Sequence, residues 1–257
     1  MSTTIAAATN TTMSNPFFKF KQFVVRHEQC AMKVGTDGVL LGAWTTTEPR
    51  FNNTDSILRI LDIGTGSGLI ALMLAQHFSE AHIDAIDIDR KAAEQAKENF
   101  DASPWGERLH IADCKLQEWK PEYRYDLIVS NPPFFQNSLK NPDIGRKQAR
   151  HTDTLSFDEL VRHSERLINE NGWLALILPA DAETEVRNLA KDAGFIPTHI
   201  THVFSKEGKP QRRVLLLLET SKSRNSEKTI QEDSLILEDD KGGRSIQYSE
   251  LTKDFYL

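Results

Sequence analysis

The chain has 257 residues, 39% of them hydrophobic and 26% charged, and a formal net charge of −6. These values describe a globular protein large enough for one α/β domain, and they exclude one that coats nucleic acid by bulk electrostatics. The longest apolar runs, residues 173–178 and 214–218, are strand-sized and too short to span a bilayer, so no membrane association is expected.

Residues 1–16, rich in Ser, Thr, Ala and Asn, read as a disordered leader without a secretion signal, and Met13 is an alternative start. A cytoplasmic location follows, with no obligate protein partner inferred. Residues 17–257 read as a single domain with an N-terminal segment, 17–56, and a small C-terminal hairpin, 234–257. Cys30 and Cys114 are too few for a disulfide framework or a zinc cluster, and read as small buried or half-buried hydrophobes.

Residues 57–63 form an apolar strand that runs into Asp62-Ile63-Gly64-Thr65-Gly66-Ser67-Gly68. The apolar run from Leu69 to Ala75 predicts a helix buried on most faces. A strand over 81–87 ends in Asp87, and 90–100 is an amphipathic helix of charges and alanines. Further strands are expected at 109–113 and 125–129. Residues 136–154 are polar and basic, and predict a loop over the site. Ser156 and Glu159 form a capping box that opens a helix to about 169. A strand at 172–178, a helix at 181–193 and strands at 196–204 and 213–218 complete the pattern, with a basic hairpin tip between the last two. Residues 234–248 read as a small hairpin turned at Asp240-Lys241-Gly242-Gly243. Strands alternating with helices imply a parallel sheet covered on both faces, finished by an antiparallel hairpin.

In such a sheet, ligands bind beyond the carboxyl ends of the strands. Gly64, Gly66 and Gly68 lie at that edge, and Asp87 stands 19 positions past Gly68 at the next strand end. That spacing suits a carboxylate accepting from two ribose hydroxyls. A nicotinamide dinucleotide prefers a third glycine where this chain has Leu69, which leaves a different nucleoside cofactor as the better fit.

Asn131-Pro132-Pro133-Phe134 follows the fourth strand. The Asn131 side-chain oxygen and the Pro132 carbonyl make a pair of acceptors able to grip both N–H groups of a planar NH2 and to stabilise positive charge developing on its nitrogen. Pro133 brings no competing N–H, and Phe134 offers a face for stacking a base, worth about 1–3 kcal/mol.

The glycine turn resembles motif I of class I S-adenosylmethionine-dependent methyltransferases, and the tetrapeptide resembles their motif IV in enzymes acting on exocyclic or amide nitrogen. The resemblance implies S-adenosyl-L-methionine as cofactor and a Rossmann-like fold, with a seven-stranded, mostly parallel sheet, an antiparallel last strand and helices on both faces. It assigns Asp87 and Ile88 to the cofactor nucleoside, Asp113 to the adenine amino group and Asp62 to ordering the methionine end.

The segment 18–25, followed by Cys30-Ala31-Met32-Lys33-Val34-Gly35-Thr36-Asp37-Gly38, resembles the N-terminal signature of the bacterial valine-tRNA adenine-N6 methyltransferases. Ser103-Pro104-Trp105, Gln148-Ala149-Arg150, Arg213-Val214-Leu215-Leu216 and Phe255-Tyr256-Leu257 extend that resemblance over nearly everything after Phe17. It implies methyl transfer to N6 of adenosine 37, immediately 3′ of the anticodon of valine tRNA, with the anticodon stem-loop as partner. Lys33, Gly35, Thr36 and Asp37 would close over the cofactor, and Arg146, Lys147, Arg150, Arg212 and Arg213 would hold RNA phosphates. Phe134 stands where tyrosine is usual and Asp87 where glutamate is common. The alternatives are a release-factor glutamine N5-methyltransferase, an NAD-dependent oxidoreductase and a non-catalytic tRNA-binding protein.

Overall fold

The computed structural model of the chain describes residues 15–51, 58–133, 155–220 and 229–257. Two short strands, β1 (Phe17–Lys19) and β2 (Val24–Arg26), pair antiparallel as a separate two-stranded sheet. Helix α1 (Thr36–Thr46) follows. Then come β3 (Arg59–Ile63), α2 (Leu69–His77), β4 (His82–Asp87), α3 (Arg90–Asp101), β5 (Leu109–Asp113) and β6 (Tyr125–Ser130). The second half holds α4 (Phe157–Leu167), β7 (Ile168–Pro179), α5 (Glu183–Asp192), β8 (Phe195–Phe204), β9 (Gln211–Thr220), β10 (Gln231–Ile236) and α6 (Ile246–Leu251).

Strands β3 to β10 form one sheet of eight in the order β10-β8-β9-β7-β6-β3-β4-β5. Every pairing is parallel except those of β9, which runs antiparallel to both β7 and β8. The expected seven strands are present, and β8 and β9 form the expected terminal hairpin. An eighth strand, β10, corrects the count, and the antiparallel strand is not the last one. Residues 234–248 turn at 239–243 as expected, but without the two paired strands of a full hairpin. They contribute the end of β10, a single antiparallel bridge between Glu238 and Arg244, and α6.

The sheet separates two apolar cores. Alternate strand residues such as Ile60, Leu127 and Ala175 meet α1, α2 and α3, whereas Leu61, Ile128 and Leu176 meet α4 and α5. This alternation is the period-two pleat of a strand covered on both faces. Helix α1 has no amphipathic stripe because it is buried nearly all round, from Gly38 to Thr46. The capping box on α4 is present, with Ser156 and Glu159 bonding each other's backbone N–H.

Strand β10 is polar on most positions and buries only Leu235, so its place comes from specific bonds. His199 on β8 sits between Glu48 and Asp233, its Nε2 lying 3.0 Å from Asp233 Oδ2. Thr201 donates to Asp233 Oδ1 at 2.5 Å and accepts from the Trp44 indole at 3.0 Å. Arg50 pairs with Glu48, completing a chain of charges from the segment after α1 to the sheet edge. Burial alone would lower the His199 pKa, but its two carboxylate partners raise it above its ordinary value. Burial likewise opposes Asp233, yet Thr201 and His199 hold it below the usual carboxylate range.

A raised histidine contributes stability that is complete below its unfolded pKa and is lost as pH rises through the folded value. A depressed carboxylate contributes above its unfolded pKa and loses as pH falls through the folded one. The clasp is therefore at full strength between about pH 4 and 6.5. Asp233→Asn should lower Tm by about 2–4 °C at pH 6, since its half-exposed carboxylate limits the pair to roughly 1 kcal/mol. Thermal melts of both proteins should converge above the folded His199 pKa. A deficit that stays constant with pH would remove the charge from the explanation.

Candidate functional site

The carboxyl ends of the parallel strands are in step. Ile63 pairs with Ile86 and with Ser130, and Asp87 pairs with Asp113, so the residues after each strand converge on one edge. Ser130 Oγ donates to the Ile63 carbonyl at 2.9 Å, which locks the end of β6 beside the glycine turn.

The turn uses left-handed backbone at Gly64, Gly66 and Gly68, with φ of 69°, 57° and 81°. Gly64 and Thr65 donate their N–H groups to the Ile86 carbonyl. No heavy atom of the described residues lies within 4 Å of where a Cβ on Gly64 or Gly66 would stand, so among those residues nothing covers their backbone. Gly68 is different. A Cβ there would stand 2.5 Å from Phe100 Cε1 on α3, so this glycine also lets α2 start against α3.

Asp87 Oδ2 accepts from the Gly66 N–H at 2.8 Å, and its Oδ1 accepts from the Asp89 N–H at 2.9 Å. Each oxygen keeps a lone pair for a further donor. Burial raises the Asp87 pKa, opposed by those two N–H groups. Asp62 lies beneath the turn, fully buried, with Oδ2 accepting from Thr65 Oγ1 at 2.6 Å and from the Ala71 N–H at 3.2 Å. Its other oxygen has no partner among the described residues, and burial pushes its pKa up to about 7.

A cavity of about 410 Å³ opens over this edge. Among its lining residues are Gly64, Gly66, Asp87, Ile88, Asn131, Pro132 and Pro133, which the sequence had singled out. Asn131 Oδ1 is buried and has no hydrogen-bond partner among the described residues. Unmatched buried acceptors are rare in native folds, and Asn131 itself lines the cavity. Gly68, Asp62 and Asp113 do not line the cavity. Asp62 supports the turn from below, and the residues after Asp113 line the wall in its stead.

Cys30, Ala31 and Met32 line the cavity, whereas Lys33, Gly35, Thr36 and Asp37 do not. Thr36 and Asp37 open α1, and Asp37 Oδ2 accepts from Arg213 Nε at 2.8 Å. Arg213 is thus engaged within the fold, whereas Arg212 is exposed. Phe134, Arg146, Lys147 and Arg150 lie outside the described residues.

The methyltransferase small domain model matches residues 50–192, more than half of the chain. A tRNA1(Val) (adenine(37)-N6)-methyltransferase of Bacteroides fragilis is 46% identical over 248 residues, covering 95% of this chain and 99% of that one. Its namesake in Flavobacterium johnsoniae is 47% identical over 242 residues, covering 93% and 99%. The chain belongs to the tRNA1(Val) (adenine(37)-N6)-methyltransferase family.

Solved structures match in fold. A predicted O-methyltransferase from Agrobacterium tumefaciens gives a TM-score of 0.64 at 17% identity, over 85% of this chain and 96% of that one. TYW2 from Pyrococcus horikoshii, in complex with MeSAdo, gives 0.58 at 12%, over 80% and 71%. The class I methyltransferase fold expected from the glycine turn is thereby established.

For a member of the tRNA1(Val) (adenine(37)-N6)-methyltransferase family, sequence reasoning missed several cavity residues. Cys114, Leu116, Gln117 and Glu159 line the cavity, with Gln117 Nε2 donating to Glu159 Oε1 at 3.1 Å. The available signal was position: the first three follow the β5 strand end, where ligands of this fold gather. Glu159 was legible as a helix cap, and its second role needed the tertiary structure. Both cysteines line the cavity as well, and burial, then Asp87 and Asp89, push the Cys30 thiol up to about 11. No helix among the described residues is long and apolar enough to cross a membrane.

Proposed function

We propose that this chain transfers the methyl group of S-adenosyl-L-methionine to the exocyclic N6 of adenosine 37 in valine tRNA, in the cytoplasm. The observation that carries the reading is Asn131, whose buried Oδ1 has no hydrogen-bond partner among the described residues and which with Pro132 lines a cavity shared with Asp87 and the bare glycine backbone. The names of the relatives agree with it.

The residues fit the cofactor. Asp87 keeps acceptor capacity for ribose hydroxyls, Gly64 and Gly66 leave room for a close ligand, and the volume suits a nucleoside-sized molecule. When bound, S-adenosyl-L-methionine supplies an electrophilic methyl group on a sulfonium. Asn131 Oδ1 and the Pro132 carbonyl accept the two N6–H groups, which turns the nitrogen lone pair out of the base plane and stabilises positive charge on it. Pro133 offers no N–H in competition. Phe134 stacks the base, Ile88 packs on the cofactor nucleoside, and Asp113 at the end of β5 is assigned to the adenine amino group. The anticodon loop keeps the cost of exposing its target low, since the adenosine is already single-stranded.

Incubation with labelled S-adenosyl-L-methionine, unmodified valine tRNA and a recombinant release factor tests the reading. N6-methyladenosine mapping beside the anticodon is the expected result. Label in the release factor would overturn it in favour of glutamine methylation.

RNA phosphates fall to Arg146, Lys147, Arg150 and Arg212, with Arg213 a weaker contributor because Asp37 occupies it. Arg212→Glu should raise the tRNA KM several-fold at low salt, with the difference shrinking as salt rises. An unchanged KM would make Arg212 surface only.

A further inference from the structure

We propose that the outer face of the β1–β2 ribbon is an RNA-docking surface, on which Lys19 and Arg26 take phosphates and Phe17 stacks an unpaired base. The inference rests on the tRNA reading above and deepens it by adding a part of the substrate interface that lies within the described residues.

The strand register pairs Phe17 with Arg26 and Lys19 with Val24, so these four side chains share one face, and Phe18 and Val25 share the other. The inner face is packed. Val25 is fully buried, and the Phe18 ring lies 4.8 Å from that of Phe20 and 5.8 Å from that of Tyr256. The outer face is open among the described residues: Phe17 and Val24 are each 41% exposed, the Arg26 side chain is 61% exposed, and Lys19 is exposed as well. Arg26 meets Glu28 at 3.9 Å with both groups exposed, a contact too weak to withhold the guanidinium from a phosphate.

The charge around the exposed apolar side chains says what covers them. Residues 17–33 carry four Lys and Arg against one Glu, a net of +3 in a chain whose net is −6. Basic and aromatic side chains interleaved on one face suit a single RNA strand, whose backbone follows the cations while its bases stack on the rings. A second copy of this chain fits worse, because a self-complementary contact would bring Lys19 and Arg26 toward like charges.

Hydrogen bonds fix the ribbon beside the cavity. Buried Asn99 on α3 accepts from the Arg26 N–H at 2.9 Å, and its amide donates at 2.8 Å both to the Arg26 carbonyl and to the Ser67 carbonyl in the glycine turn. Gln95 accepts from the Gln29 N–H at 3.4 Å. Cys30, four residues past Arg26 and so at most about 14 Å away along the chain, already lines the cavity. An RNA strand with its adenosine in the cavity therefore has the ribbon within reach of neighbouring nucleotides.

The test measures binding of the full chain, saturated with S-adenosylhomocysteine, to an unmodified valine tRNA transcript over a series of salt concentrations. Reversing both charges, Lys19→Glu with Arg26→Glu, should weaken binding about tenfold or more at low salt and flatten the log–log salt slope by about one to two. Phe17→Ala should weaken binding about tenfold with the slope unchanged, and Phe17→Tyr, which keeps the ring, should bind as the unsubstituted chain does. Affinity for S-adenosylhomocysteine and Tm should be the same in all of them. If the variants bind the tRNA as tightly as the unsubstituted chain, the ribbon assignment is overturned and the tRNA reading stands. If the unsubstituted chain takes S-adenosylhomocysteine but not the tRNA, the tRNA reading fails with it. A dimer in sedimentation that Phe17→Ala dissociates, with tRNA binding unchanged, gives the face to a second copy and overturns the proposal.

Discussion

Asn131→Ala should cut turnover by about 10²–10³-fold while leaving affinity for S-adenosylhomocysteine within a factor of two or three. That magnitude is typical for removing one polar group aimed at developing charge. The Asn131 oxygen is buried and has no partner among the described residues, so in the absence of substrate it costs stability instead of adding it. Its removal should therefore leave Tm unchanged or slightly raised, an unusual result for truncating a side chain with a buried polar atom. Single-turnover rates with saturating cofactor, set beside a melt, would check both halves. Near-normal turnover would eliminate the acceptor pair as the source of catalysis. A fall in Tm of several degrees would show that Asn131 holds the strand end together and that its activity effect is indirect.

Gly68→Ala should destabilise the fold by about 3 kcal/mol, lowering Tm by roughly 6–12 °C. Two costs combine. At φ of 81°, any residue with a Cβ meets a left-handed penalty of about 1–2 kcal/mol. The new Cβ would also stand 2.5 Å from Phe100 Cε1, and Phe100 is fully buried, so its ring can yield only by repacking α3 at about 1–3 kcal/mol. Gly64→Ala is the control, because its Cβ meets nothing within 4 Å and only the conformational penalty remains. Equal Tm losses in the two variants would eliminate the Phe100 contact as the controlling factor.

Much of this protein was legible in one dimension because its signals are local. The apolar run of β3, the glycines after it, the acid closing β4 and the Ser156–Glu159 box each lie within one element, and the structure builds each element where its residues implied. The residues of the Asn131 tetrapeptide that are described follow directly on β6, so their position needed only the end of one strand.

What only the tertiary structure decided depends on pairing between distant segments. Helix α1 escaped notice because burial on all sides erases the periodic stripe by which helices are recognised. Strand β10 escaped because its residues are polar, and it is held by His199 and Thr201, more than 30 positions upstream. Arg213 reads as a free surface charge until α1 brings Asp37 to it across 176 positions of chain. Met32 shows the same limit at the site itself. Its apolar character is written in the sequence, but its place over the cavity follows from bonds to Asn99 and Gln95, which no local pattern contains. Residue type and spacing determined which chemistry the chain carries; long-range packing determined which of those residues face one another.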